Sequence, residues 1–249
     1  RSEVSLIINT AKGNLVDVFP IGSISKKREG NELAELYDMK LNGAIAFCDG
    51  TRSLQQAGLM GRALLYSKGF DGLIISFAQD ESIAGGTQMN EGIISTYLGM
   101  KGSPNLAEAL MVSRDLFLAE YNEAPIHFTT ISTAESVDLI KKAKAKGIKV
   151  TCDVAAHNLV FSDEEVKGFD SNYKVNPPLR TSKDIKEIKS KDKINGRFFH
   201  TSDTDEWFFC WNNELQKLNL KGDADVNAAL EEVNRLIAEA NTAVDEAKK

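Results

Sequence analysis

Apolar residues in the first 185 positions fall into short continuous runs that alternate with stretches of helical spacing. Val4 to Lys12 reads as a helix ended by Gly13, and Leu15 to Ile21 is an apolar run of β-formers. Glu32 to Asn42 is helical again and is closed by Gly43. The alternation continues with a strand at Ala44–Phe47, a helix at Ser53–Lys68 and a strand at Leu73–Ser76. It goes on through a helical region reaching Val112–Tyr121, a strand at Ile126–Thr130, a helix at Ala134–Lys146 and a strand at Lys149–Val154. Glycines at 43, 69 and 147 stand where left-handed caps end helices. Strands that read as near-continuous apolar runs belong to parallel sheets covered by helices. Five such βα units predict an α/β fold, either a barrel or a doubly wound sheet.

The pattern changes near residue 190. Asp184 to Lys193 is a charged stretch, expected as a solvated helix end or linker. Gly196 to Leu220 then holds both tryptophans and four of the twelve phenylalanines. Its aromatic strands flank Asn212-Asn213, a dipeptide that tolerates the positive φ of a hairpin turn. After Gly222 a helix is predicted to the end of the chain. Its apolar residues Val226, Leu230, Val233, Ile237, Ala240, Val244 and Ala247 repeat at 4-3-4-3-4-3, the seam of a coiled coil. The expected organisation is an α/β domain over residues 1–190, an aromatic β-hairpin unit over 196–220 and a coiled-coil helix over 223–249. The helix is expected to make the protein a homo-oligomer through Val226, Leu230, Val233, Ile237 and Val244.

Composition narrows the classes. The chain has 249 residues and a formal charge of −6, with a pI near 5.3, so a nucleic-acid surface is not expected. The tail from Asp223 carries seven acids and three bases, which leaves the rest nearly neutral. No run approaches the ~18 apolar residues of a membrane span, and Arg1-Ser2-Glu3 has no signal-peptide pattern. Starting without methionine, the chain reads as processed, a fragment or engineered. Cys48, Cys152 and Cys210 are far apart without C-x-x-C spacing, as in a reducing compartment. Cytoplasmic residence is expected, with a virion as the alternative.

Four segments carry a resemblance: Gly43-Ala44-Ile45-Ala46-Phe47-Cys48-Asp49-Gly50, Met89-Asn90-Glu91-Gly92, Ile131-Ser132-Thr133-Ala134-Glu135-Ser136-Val137, and Asn172-Tyr173-Lys174-Val175-Asn176-Pro177-Pro178-Leu179-Arg180. Together they resemble the dihydroorotase family of the amidohydrolase superfamily, over residues 1–185. The resemblance implies a (β/α)8 barrel, here partial, with its chemistry at the C-terminal strand ends. It also implies a metal-activated hydroxide, zinc in active relatives, held by imidazoles and a bridging acid. The chain begins after the family's H-x-H strand. The H-x-E-D segment reads Phe77-Ala78-Gln79-Asp80 and the H-[IV]-S-T segment reads Thr130-Ile131-Ser132-Thr133, so two ligand histidines are replaced by Phe77 and Thr130. Asp49 alone keeps its place at the bridging position, and the final D-H-A-P-H is missing. The expectation is a degenerate site with no metal and no cofactor.

Asn176 and Arg180 occupy substrate-contacting or nearby positions in the family, although the prolines between them equally make a rigid strand exit. His157 matches a family histidine and is expected to be structural, His127 a satisfied core or interface histidine, and His200 lies outside the resemblance. Gly85-Gly86 reads as a turn, because no phosphate-loop pattern accompanies it. The residues from Gly196 to Asn212 are similar to a pattern of phage tail and fibre proteins, which allows a virion-associated or composite protein. An active amidohydrolase with unusual ligands is a further alternative. The principal expectation is a catalytically inactive member serving as a scaffold or partner of an aspartate transcarbamoylase-like protein. Any open edges of a partial barrel should be covered by another chain, by 196–220 or by parts outside this sequence.

Overall fold

A computed structural model describes residues 2–13, 18–191, 197–201, 206–211 and 214–218. The chain divides into two compact units, 1–192 and 193–249. In the first, α1 (Ser2–Ala11) precedes β1 (Ile21–Gly22), α2 (Leu36–Leu41), β2 (Ala46–Phe47), α3 (Ala57–Lys68) and β3 (Leu73–Phe77). An excursion follows: α4 (Glu81–Ala84), β4 (Met89–Asn90), α5 (Ile93–Leu98) and β5 (Gly102–Ser103). Then come α6 (Asn105–Asn122), β6 (Ile126–Thr129), α7 (Ala134–Ala145), β7 (Val150–Cys152), α8 (Ala156–Val160) and α9 (Ser182–Lys191).

Five strands form one parallel sheet in the order β1-β2-β3-β6-β7, while β4 and β5 pair separately, also in parallel. The order advances in one direction without reversal. Right-handed crossovers then place every helix on the same face, and α6 indeed packs between α3 and α7. That is the winding of a (β/α) barrel and not of a doubly wound sheet, so the unit is an open arc of a barrel. Register sorts the two faces. Ile74, Ile126 and Val150 lie side by side and are buried under the helices, and Ser76 on this face donates to Asp115 of α6 at 2.7 Å. Ile75, His127 and Thr151 share the other face, the inner face of the arc.

Several expected bounds shift for identifiable reasons. The helix expected from Glu32 starts at Leu36, because Lys26 N–H donates to the Glu32 carbonyl and Ala34 N–H to that of Ile24. These bonds hold the segment extended. The strand expected at 15–21 is seen only at Ile21–Gly22, residues 14–17 being outside the described set. Gly43 and Gly147 do take φ of 104° and 86°, but Gly69 lies at −63° and the left-handed residue there is Asp71. The stretch from Asp184, expected as a solvated helix end or linker, is helical as far as Lys191. It is α9, packed on α7 and α8 through buried Ile185 and Ile188, with lysines at 183, 186 and 189 on other sides of the helix.

The second unit contains β8 (Arg197–Thr201), β9 (Glu206–Trp211) and β10 (Glu214–Leu218) in one antiparallel sheet, β9 in the middle. Glu214 pairs with Trp211 and Phe198 with Phe209. Asn212-Asn213 and the heptad residues Val226, Leu230, Val233, Ile237 and Val244 lie outside the described residues.

Candidate functional site

The C-terminal ends of β2, β3, β6 and β7 lie side by side. Asp49 stands two residues beyond β2, Phe77 ends β3, Thr130 follows β6 and Asp153 follows β7. The residues aligned with the family's ligands therefore occupy neighbouring strand ends.

Their chemistry is already committed. The buried Asp49 carboxylate accepts Ile24 N–H at 2.8 Å and Ser25 N–H at 3.0 Å on one oxygen, and the Ser25 hydroxyl on the other. Ser25 Oγ in turn accepts Gly30 N–H. Asp49 thus staples the loop after β1 to the end of β2, and both its oxygens are in use. Phe77 is buried and has no donor to offer. Thr130 sits at φ 55°, gives its N–H to Asp153 at 2.7 Å and its hydroxyl to the Thr129 carbonyl.

On the inner face His127 bonds Thr151 Oγ1 through Nδ1 at 2.7 Å and Asp153 Oδ2 through Nε2 at 2.9 Å. It is the satisfied histidine that its place in a strand suggested. Burial pushes the Asp153 carboxyl up, but hydrogen bonds from His127, the Thr130 N–H and Thr129 outweigh it and hold the carboxyl below its usual range. Burial raises the Cys48 thiol, and the charges of Asp49 and Asp153 add to this. Burial lowers the pKa of His157, in the first turn of α8, and its Nε2 is buried without a hydrogen-bond partner.

Arg180, expected at or near a substrate-contacting position, is held by protein partners. It is 3% exposed, donates from Nε to Ser132 Oγ at 3.0 Å, and from Nη1 to Asn90 Oδ1 at 3.0 Å and the Ser103 carbonyl at 2.9 Å. Its Nη2 lies 4.0 Å from Glu108 Oε2. Burial lowers its pKa, opposed by the charges of Glu108, Asp184, Glu135 and Asp163. Glu108 on α6 also accepts from the backbone N–H and hydroxyl of both Ser132 and Thr133. Asp163 accepts from Asn90, and Asp184 accepts from Ala134 N–H and Asn105. Three of the four resembling segments are therefore tied to one another through this buried network. Sequence reasoning missed Glu108, Asp163 and Asp184; the one signal was Glu108, an acid between the apolar pairs Leu106-Ala107 and Ala109-Leu110.

Asn176 lines a cavity of about 290 Å³ with Gln79, Gln88 and Lys174. A larger cavity, about 470 Å³, opens beside Asp49 between Arg28, Asn31, Arg52 and Gln55. Gly86, at φ 71°, makes the turn expected of Gly85-Gly86. His200 lies in β8, opposite Trp207. Among the described residues no three of His, Cys, Asp and Glu stand together as a metal-holding group. No helix among them is long and apolar enough to cross a membrane.

Residues 4–136 match the family described as dihydro-orotase-like. The chain is similar to a dihydroorotase of Acetivibrio thermocellus, 46% identical over 189 residues that make up 76% of this chain and 44% of the relative. It is also similar to one of Geobacter sulfurreducens, 44% identical over 190 residues, 76% and 45% of the two chains. It thus spans less than half the length of these relatives. Among solved structures, the L-hydantoinase (dihydropyrimidinase) of Arthrobacter aurescens superposes with a TM-score of 0.61 over 76% of this chain and 43% of its own, at 19% identity. That likeness shows the barrel-type fold. The expectation of no cofactor is corrected by the match to dihydroorotases, the family whose active members use zinc. The donor set at the described strand ends, with Asp49 engaged and Phe77 and Thr130 in place of imidazoles, does not by itself fit such an ion. The match over more than half of the chain, the 46% identity and the barrel-type winding together establish that this chain belongs to the dihydroorotase family.

Proposed function

We propose that this chain is a non-catalytic member of its family, acting in pyrimidine biosynthesis as a scaffold or partner subunit of an aspartate transcarbamoylase-like enzyme. One observation carries the reading: at three neighbouring strand ends the groups that would hold and bridge a metal are a buried phenyl ring, a threonine and a carboxylate with both oxygens hydrogen-bonded. A hydroxide nucleophile at neutral pH needs an electrophile with open coordination and fixed ligands. The buried network around Arg180 and Glu108 also supports it. Its residues lie largely in the family-like segments, and they hold β4, β5 and α7 to the barrel layer whether or not a reaction takes place there.

The test is dihydroorotate hydrolysis, and the reverse cyclisation of carbamoyl aspartate, by the purified chain supplied with zinc. No turnover above the buffer rate is expected. Turnover that a chelator abolishes and zinc restores refutes the reading. Co-purification with an aspartate transcarbamoylase from the source organism tests the partner role separately.

A further inference from the structure

Lys27 and Arg28, in the loop after β1, are consecutive non-glycine residues with left-handed backbone, at φ 54° and 57°. Such residues persist where their surroundings over-determine them. Here the surroundings lead back to Asp49. Ser25 is bonded to that carboxylate through its N–H and its hydroxyl. It takes the Gly30 N–H on Oγ and the Arg28 N–H on its carbonyl. The acid at the family's bridging position thus fixes the loop that presents Arg28. The Arg28 guanidinium lies against Gly50, where a Cβ would stand 3.4 Å from Nη1. Arg52 of the loop after β2 donates to the Arg28 carbonyl at 3.2 Å. Two guanidiniums from two loops therefore line the cavity of about 470 Å³ beside Asp49. Among the described residues neither is ion-paired.

We propose that this cavity binds the phosphoryl group of a small, hydroxyl-rich metabolite between Arg28 and Arg52. Its acids are Asp49, whose oxygens already take three donors, and Glu29, so two cations face one uncommitted carboxylate. A guanidinium fork grips two oxygens at once. Two forks from different loops suit a tetrahedral group with three free oxygens better than a carboxylate with two. The remaining lining selects the body of the ligand. It contains no apolar or aromatic side chain, so a hydrocarbon chain finds no surface to cover there. Gln55 is a fixed wall, bonded to the Ser53 and Gln79 carbonyls and to the Glu81 N–H. Gln56 reaches Asn31 Oδ1 at 3.5 Å, which leaves the Asn31 NH2 to meet a ligand hydroxyl. The volume exceeds a lone phosphate and falls within the range of metabolite sites. The ends of β3, β6 and β7 contribute nothing to this lining, and Asn176 lines the other cavity. The proposal needs no turnover and stands apart from the non-catalytic role.

Calorimetric titration of the full chain with glucose 6-phosphate, inorganic phosphate, glucose and succinate tests it. Glucose 6-phosphate should bind with a dissociation constant of ~1 mM or below, inorganic phosphate more weakly, and glucose and succinate not measurably. Arg28→Gln and Arg52→Gln replace exposed side chains, so each variant should keep its circular dichroism and melting temperature. Each should weaken binding at least tenfold, the loss of a charge-assisted contact. Arg28→Lys should recover only part of it, since an ammonium is a point charge and not a fork. Lys26→Gln removes a cation that is engaged with Glu32 and lies outside the lining, and should leave binding unchanged. Absence of glucose 6-phosphate binding up to ~20 mM overturns the proposal. So do succinate binding as tightly as glucose 6-phosphate, arginine variants that bind normally, or a loss in Lys26→Gln as large as theirs. Dihydroorotate turnover would refute the non-catalytic role without moving these titrations.

Discussion

Glu108→Gln should destabilise the first unit by about 2–3 kcal/mol. The carboxylate is buried and accepts from four donors: Ser132 N–H at 3.1 Å, the Ser132 hydroxyl, Thr133 N–H at 3.0 Å and the Thr133 hydroxyl at 2.9 Å. A glutamine can place its single oxygen where Oε1 was and keep both Thr133 bonds. Its NH2 then faces the Ser132 hydroxyl, which must turn round to accept, and leaves Arg180 without its nearest countercharge. Stranding one buried donor costs about 1–3 kcal/mol, and unpairing a buried charge adds to it. Glu108→Leu, which strands all four donors, should lose about 4–5 kcal/mol. The measurement is urea unfolding, with the midpoint falling at constant slope; by melting, the glutamine variant should drop by roughly 5–10 °C. A double-mutant cycle with Arg180→Met isolates the pair: the double variant should lose at least ~1 kcal/mol less than the sum of the singles. A Glu108→Gln protein within ~0.5 kcal/mol of wild type would show that the network does not hold these segments together.

Phe77→His combined with Thr130→His should leave dihydroorotate hydrolysis at background with zinc present, because Asp49 stays bonded to Ile24 and Ser25; it should also cost about 1–3 kcal/mol for burying an imidazole without a partner, readable in the same urea curves. A chelator-sensitive rate would reverse that conclusion. The Asp153 carboxyl is depressed on folding, so its contribution to stability is complete above the ordinary carboxylate range and is lost as pH falls through the lower folded value. Asp153→Asn should therefore flatten the acid limb of stability against pH and leave the neutral region less stable, and an unchanged limb would count against the His127–Asp153 pairing.

The sequence determined the order of elements and the side of the fold on which chemistry could lie. Apolar runs such as Ala44–Phe47 and Leu73–Phe77 are near-continuous because both faces of a parallel strand are largely covered, and that signal is local. The family-like segments were legible for the same reason, as unbroken words. Which of their residues would face an open site was not. Arg180 meets Asn90 across 90 positions and Ser132 across 48, and nothing local distinguishes an arginine aimed at a substrate from one buried among carbonyls. Asp184 looked like part of a solvated charge run because its partners, Ala134 and Asn105, lie 50 and 79 residues away. An exposed apolar stripe on α6 was hidden differently. Leu106, Leu110, Met111, Val112, Leu116 and Phe117 are apolar on nearly every side of the helix, so periodicity could not say which side turns outward. Only the packing of α6 between α3 and α7 decided that, burying Met111, Val112 and Leu116 and leaving Leu106, Leu110, Phe117 and Tyr121 in solvent. The local chain sets what each segment can bury; the neighbours brought to it by tertiary folding set what it does bury.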